Sequence, residues 1–189
     1  MNARTLAIGT VLLLALIAIG AILWPRFHPS HQLEEATLAP TVGKAVLGKT
    51  APQFSVPTTA GLFDLQKQTQ PVFLELFASW CPHCQHETAV INKLYDAYHS
   101  RIAFVAVSAS DTGMDGTSPE SENDVYNFTK RFHTQYPVAF DGLEYVSSLY
   151  LQGAYPTIVV IDRNKKITYM NTGELSYADL AAQLDKVLK

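Results

Sequence analysis

Cys81 and Cys84, in the run Trp80-Cys81-Pro82-His83-Cys84, are the only two cysteines in 189 residues. Two thiols at this spacing can form a disulfide and be reduced again, and the thiolate is the form that attacks a partner's disulfide. The apolar run Val72-Phe73-Leu74-Glu75-Leu76-Phe77 leads into the pair, while Val90, Ile91, Leu94, Tyr95 and Tyr98 follow it at helical spacing. The pattern predicts a buried strand, a turn, and a helix that begins at Cys81. A sulfur placed there meets unpaired backbone N–H groups and the positive end of the helix dipole, and both favour thiolate. Pro82 suits the first helical turn, where its missing N–H would have had no partner. His83 lies between the sulfurs, where an imidazolium or an N–H donor stabilises a Cys81 thiolate further. A dithiol whose reduced form is stabilised becomes a stronger oxidant. The expected chemistry is exchange, with Cys81 attacking or attacked and Cys84 resolving the mixed disulfide.

Other uses of two cysteines fit less well. A structural disulfide over so short a loop removes little chain entropy. Zinc would draw on Cys81, Cys84, His83 and His86, with no second CxxC or HxxxH to support it. Covalent haem fails because Gln85 stands where C-x-x-C-H needs histidine. A copper(I) delivery module could use the same thiolates, but the extra soft ligands it favours are scarce, since the methionines are Met1, Met114 and Met170. No metal and no cofactor is expected, because the electrons reside in the sulfurs.

The elements that position the pair can be traced along the chain. Leu6 to Trp24 is overwhelmingly apolar and uncharged, long enough at about 1.5 Å per residue to match a bilayer's hydrocarbon core. Residues 1–25 therefore read as an N-terminal transmembrane anchor or uncleaved signal. Arg4 before the span, Arg26 after it and Trp24 at its far edge lean toward a cytoplasmic N-terminus and an extracytoplasmic domain. Residues 26–41 read as a flexible tether, and 42–189 as one domain. Setting aside Arg4 and Arg26, which flank the span, 12 of the 14 basic residues stand against 17 acidic ones, a net of −5, with no basic patch for nucleic acid.

Within the domain the pattern predicts a β region near Phe54–Leu65 with turns at Pro57 and Gly61. The strand Val72–Phe77, the cysteine helix, the strand Ile102–Val107 and a polar loop come next. Helices near Val125–Tyr136 and Leu143–Tyr150 follow, then a hairpin of Thr157–Ile161 and Ile167–Met170. A last helix is capped by Ser176 and Asp179 and carries Leu180, Leu184 and Val187 or Leu188 on one face. Apolar strands alternating with amphipathic helices indicate α/β with a parallel core and a closing hairpin. Glu75 is the informative polar residue, because a carboxyl inside the strand is desolvated and its pKa raised toward neutrality.

Four segments make residues 46–188 resemble the thioredoxin superfamily, and within it the membrane-anchored TlpA/ResA-like thiol-disulfide oxidoreductases. They are Gly48-Lys49-Thr50-Ala51-Pro52-Gln53-Phe54, Phe77-Ala78-Ser79-Trp80-Cys81-Pro82-His83-Cys84, Ala154-Tyr155-Pro156-Thr157 and Ile161-Asp162. The Cys-Pro-His-Cys loop, with Leu74-Glu75 before it, also looks like that of the disulfide oxidant DsbA. The resemblance implies a thioredoxin-like fold, a central mixed β-sheet flanked by helices, with an N-terminal β extension and a loop/helix insertion. It implies that Pro156 is cis and faces the sulfurs, and that the Tyr155 backbone pairs with an incoming chain. It also implies that Glu75 exchanges protons with Cys84, that Glu87 stands near the disulfide, and that Trp80 shields it. Glycine often stands two residues before this proline in such families, whereas here Ala154 takes that place and the glycine is Gly153. The acidic loop Asp111–Asp124 falls at the family's insertion and reads as a solvated, partner-facing segment, with Asp111, Asp115, Gly116 and Glu122 only echoing EF-hand spacing.

Together these features predict an extracytoplasmic, periplasmic-side oxidoreductase of protein thiol and disulfide clients, served by a membrane redox partner and anchored through residues 6–24. The body of the chain suggests a reductase of the cytochrome c maturation type. The Cys-Pro-His-Cys loop suggests a DsbA-like oxidase or isomerase.

Overall fold

The computed structural model describes residues 44–189. The candidate span Leu6–Trp24 and the tether 26–41 lie outside the described residues, among which no helix is long and apolar enough to cross a membrane.

Strands β1 (Ser55–Thr58) and β2 (Gly61–Asp64) pair as an antiparallel ribbon ahead of the main sheet. Pro57 lies within β1, opposite Leu62, and not in a turn as the sequence suggested. The reversal is at Thr59-Ala60, where the Thr58 hydroxyl accepts the Ala60 N–H and donates to the Gly61 carbonyl. A two-stranded ribbon has a free edge on each strand, which is where proline is tolerated.

The main sheet contains β3 (Val72–Phe77), β4 (Ala103–Ser108), β5 (Val138–Phe140), β6 (Thr157–Ile161) and β7 (Ile167–Thr172), in the order β5-β4-β3-β6-β7. β3 runs parallel to β4 and β4 to β5, while β6 is antiparallel to β3 and β7 to β6. The expected parallel core and closing hairpin are both present. The helices are α1 (Pro82–Tyr98), α2 (Glu122–Phe132), α3 (Tyr145–Tyr150) and α4 (Tyr177–Val187).

β3 is central and buried along its whole length. Because side chains alternate across a strand, Val72, Leu74 and Leu76 join a core with Phe54, Val105, Val159, Ile161 and Tyr150 on one face. Phe73 and Phe77 join Ile91 and Leu94 of α1, Phe128 of α2 and Leu180 and Leu184 of α4 on the other. Glu75, two residues from each phenylalanine, falls on this second face. The segment before β1 closes the opposite edge: Ala51 donates to Lys165, Gly48 donates to Ile167, and Ile167 donates to Lys49.

Two other expectations shift. The helix expected to run to Tyr136 ends at Phe132, where His133 turns into a left-handed conformation at φ 54°. Tyr136 is instead buried in the core just before β5, a strand that the sequence reading did not include. At the start of α2, Ser121 and Asp124 form a reciprocal capping box.

Phe128 lies 4.7 Å, ring to ring, from Phe77, the residue that ends β3. Phe128→Ala is expected to cost about 3–5 kcal/mol, measured by urea unfolding. The fully solvated Leu143, 93% exposed, serves as the control, with Leu143→Ala expected to stay within about 0.5 kcal/mol.

Candidate active site

Strand β3 ends at Phe77, and Cys81 is the N-cap residue of α1, with Pro82 in the first turn. The Cys81 side chain makes no capping hydrogen bond. The turn between them is held by the Cys81 N–H donating to the Ala78 carbonyl, and by the Gln85 amide donating to Ser79. Both cysteines are free thiols. Cys84 has no solvent exposure, while Cys81 keeps 5%, so Cys81 is the sulfur a partner can reach. The Cys81 thiol points at the Tyr155 carbonyl at 4.0 Å, and the Tyr155–Pro156 peptide is cis. The Cys81 sulfur therefore faces the backbone that the resemblance assigned to an incoming chain. The glycine offset from its usual place, Gly153, has φ +83°, a left-handed conformation that glycine adopts without the cost a Cβ brings.

Trp80 is 40% exposed beside the pair, its ring edge-on to Tyr155 at 6.3 Å and its Nε1 donating to Ser110 Oγ at 2.9 Å. The Tyr155 hydroxyl donates to the Ala109 carbonyl. The two aromatics thus wall the approach to Cys81 while being fixed to the loop after β4.

Glu75 is buried at 2% exposure, with Ala106 and Ile158 as its neighbours on the flanking strands. Burial raises its pKa well above the carboxylate range, and negative charge on Glu87 and Cys81 raises it further. Cys84 is pushed up by burial first and by the Glu75 charge next. The Glu75 charge thus reaches the buried thiol, which places the two groups in one electrostatic environment. The phenol of Tyr136 is buried between the Glu75 carboxyl and Thr88, and its interaction with Glu75 partly offsets the rise in the Glu75 pKa.

Glu87 is fully buried in α1 and not solvated. Its Oε1 accepts the Leu175 N–H at 2.9 Å and its Oε2 has no partner among the described residues. Burial lifts its pKa to about 7, opposed by the Leu175 hydrogen bond and aided by Glu174. His83 departs from expectation. It is largely exposed, and its Nδ1 lies 3.1 Å from Glu174 Oε2, so its hydrogen bond goes to a carboxylate and not to a sulfur.

The acidic loop also holds a residue that sequence reasoning passed over. Glu120 is buried at 8% exposure; its Oε1 accepts the Ser79 hydroxyl at 2.6 Å and the Ser79 N–H at 3.3 Å, and its Oε2 accepts the Ser108 hydroxyl. It ties the loop after β4 to the residues just before Cys81. The expectation of a wholly solvated loop is corrected at this position. One acid among five in a polar stretch carries no local mark of burial, and its partner Ser79 lies 41 positions away.

The sequence profile of the family described as Redoxin matches residues 46–188. The thiol-disulfide oxidoreductase ResA of Bacillus cereus (strain ZK / E33L) is 29% identical over 182 residues, covering 94% of this chain and 92% of its own. The ResA of Bacillus anthracis is 30% identical over 149 residues, 76% of this chain and 80% of its own. A crystal structure from Chlorobium tepidum, assigned as the thiol:disulfide interchange protein DsbE, superposes with a TM-score of 0.67 at 26% identity. It covers 77% of this chain and all of that one.

The buried Glu87 couples stability to pH. With the folded pKa near 7 and the ordinary value at 4.5, its contribution is fully present below about pH 4.5 and is lost as pH rises through 7. Urea unfolding at pH 5 and pH 8 should show wild type losing stability over that interval. Glu87→Gln should remove up to roughly 3 kcal/mol of that loss, leaving the part that Glu75 contributes with the same sign. An undiminished slope in the variant would assign the whole effect elsewhere.

Proposed function

The chain belongs to the Redoxin family and is a thiol-disulfide oxidoreductase, and we propose that it acts outside the cytoplasm as a membrane-anchored reductase of protein disulfides. The observation that carries the chemical part is the asymmetry of the two sulfurs: Cys81 is partly accessible at a helix N-terminus, and Cys84 is sealed over a buried Glu75. The apolar, uncharged run Leu6–Trp24 supports the anchor, the relatives named thiol-disulfide oxidoreductase ResA support exchange with disulfides, and the TlpA/ResA-like body that the sequence resembles supports the reducing direction.

In this reading the Cys81 thiolate attacks one sulfur of a client disulfide, and the client's other sulfur leaves as a thiolate. The client chain lies along the Tyr155 backbone, with Trp80 and Tyr155 bounding the cleft. Cys84 then gives its proton to the Glu75 carboxylate and attacks Cys81 Sγ. The mixed disulfide breaks, the Cys81–Cys84 disulfide forms, and the client departs with two electrons. A membrane dithiol donor returns two electrons to the pair. Pro82 and His83 shape the loop between the sulfurs, and Glu87 supports the electrostatics beneath it.

A second reading, a DsbA-like oxidase, rests on the Cys-Pro-His-Cys loop. The reduction potential of the full-length chain in detergent, equilibrated with glutathione, separates the two. A value near about −270 mV is expected for a reductase, and one near about −120 mV would establish the oxidant.

The role of Glu75 has its own test. Glu75→Gln should leave the far-ultraviolet circular dichroism spectrum unchanged and slow resolution of a Cys81 mixed disulfide by at least about tenfold near neutral pH. Equal rates for the two proteins from pH 6 to 8 would rule out proton transfer through this carboxyl.

A further inference from the structure

Three consecutive residues in the loop between β7 and α4 each bond a different part of the redox site. The Gly173 N–H donates to the carbonyl of the cis proline Pro156 at 2.8 Å. Glu174 Oε2 meets His83 Nδ1 at 3.1 Å. The Leu175 N–H donates to buried Glu87 at 2.9 Å. The outer two bonds are made by backbone and need no particular side chain. The middle one is made by a carboxylate, and it falls on the only histidine between the two sulfurs. The loop is anchored on both sides of Glu174, so its carboxylate is delivered to His83 by a fixed backbone.

Stability does not explain the pair. With side-chain exposures of 68% and 41%, an ion pair of this kind contributes little to folding. Its effect falls on the imidazole, whose Nδ1 hydrogen is committed to Glu174 and whose positive charge, when protonated, has a negative charge beside it.

We infer that Glu174 is a positioning residue that holds the His83 imidazole on its own carboxylate and so keeps the Cys81–Cys84 pair more reducing than the Cys-Pro-His-Cys loop alone would make it. The inference rests on the reductase reading. Reduction of the pair adds two electrons and two protons to the disulfide, and the Cys81 sulfur of the product is the one that donors and positive charge at the helix start stabilise. An imidazole free to turn toward that sulfur favours the reduced form and makes the pair a stronger oxidant. A carboxylate that takes the ring hydrogen and offsets its charge withdraws that help. Glu174 thereby reconciles an oxidant's loop sequence with a reductase's body.

The test is the equilibrium in which the Cys81–Cys84 disulfide and two glutathione molecules give the dithiol and one glutathione disulfide. It is measured at pH 7 and low ionic strength on the full-length chain in detergent, for wild type, Glu174→Gln, His83→Ala and the double variant. Glu174→Gln is expected to raise the constant at least about threefold, an upward shift of about 14 mV at 29.6 mV per decade. In the His83→Ala background the same substitution should change it by less than about 1.5-fold, because what Glu174 controls is gone. As a second readout, added salt should shift wild type in the same direction as Glu174→Gln, and should leave His83→Ala unmoved. No shift in Glu174→Gln, or an equal shift in both backgrounds, overturns the inference. The absolute wild-type potential judges the reductase reading separately, since the inference concerns only the differences between variants.

Discussion

Desolvation of carboxyl groups around one end of the sheet is the constraint on which the site depends. Glu75, Glu87 and Glu120 are each buried within the same region as the cysteines, although glutamate is among the residues least often buried. Burial alone would make each a liability. Glu120 is compensated by three hydrogen bonds from two serines, and it acts as a rivet between the loop after β4 and the turn before Cys81. Glu87 has one hydrogen bond and one unpartnered oxygen, and Glu75 sits deepest in the strand core. The compensation falls off from Glu120 to Glu75, and so does the ability of each group to stay ionised. The first ties two loops together, and the last is the group whose charged form burial disfavours most.

The fold supplies this gradient by simple means. A strand buried on both faces must place alternate residues toward α1, and the central position of β3 puts Glu75 there between two phenylalanines. The helix that follows has to begin at once, because Pro82 fits only its first turn, and this fixes Cys81 at the N-cap with Cys84 turned inward. Exposure of one sulfur and burial of the other follow from the helical turn between them. The cis proline, the loop after β7 and the loop after β4 then converge on that helix start from three sides, each through hydrogen bonds already described.

Much of this was legible in the sequence wherever the signal is local. β3 and β6 were bounded as observed, because continuous apolar runs flanked by turn residues mark buried strands. The capping pair Ser176 and Asp179 marked the start of α4. The start of α2 has an equally local sign in Ser121 and Asp124, whereas the apolar spacing points to a start at Val125 and an end at Tyr136. β5 is three residues long, too short for an alternating pattern to register. The positions of Glu120 and His83 could not be read locally. Each depends on a partner brought in by tertiary structure: Ser79 and Ser108 from two other segments, and Glu174 from 91 residues away. Chemistry carried by residue type and spacing was visible in advance, and chemistry set by long-range pairing was not.

The charges around the pair bear on the direction of electron flow. Negative charge on Cys81 is one of the causes that raise the Glu75 pKa, so a thiolate at Cys81 and a carboxylate at Glu75 oppose each other. Forming the thiolate draws a proton onto Glu75. The oxidised pair carries no such charge and escapes the conflict. Where ionised, the carboxyls of Glu75, Glu87 and Glu174 weigh against the reduced state, opposed by the helix start at Cys81 and the imidazole of His83. A dithiol whose reduced state is disfavoured gives up its electrons more readily, which is the property a reductase needs.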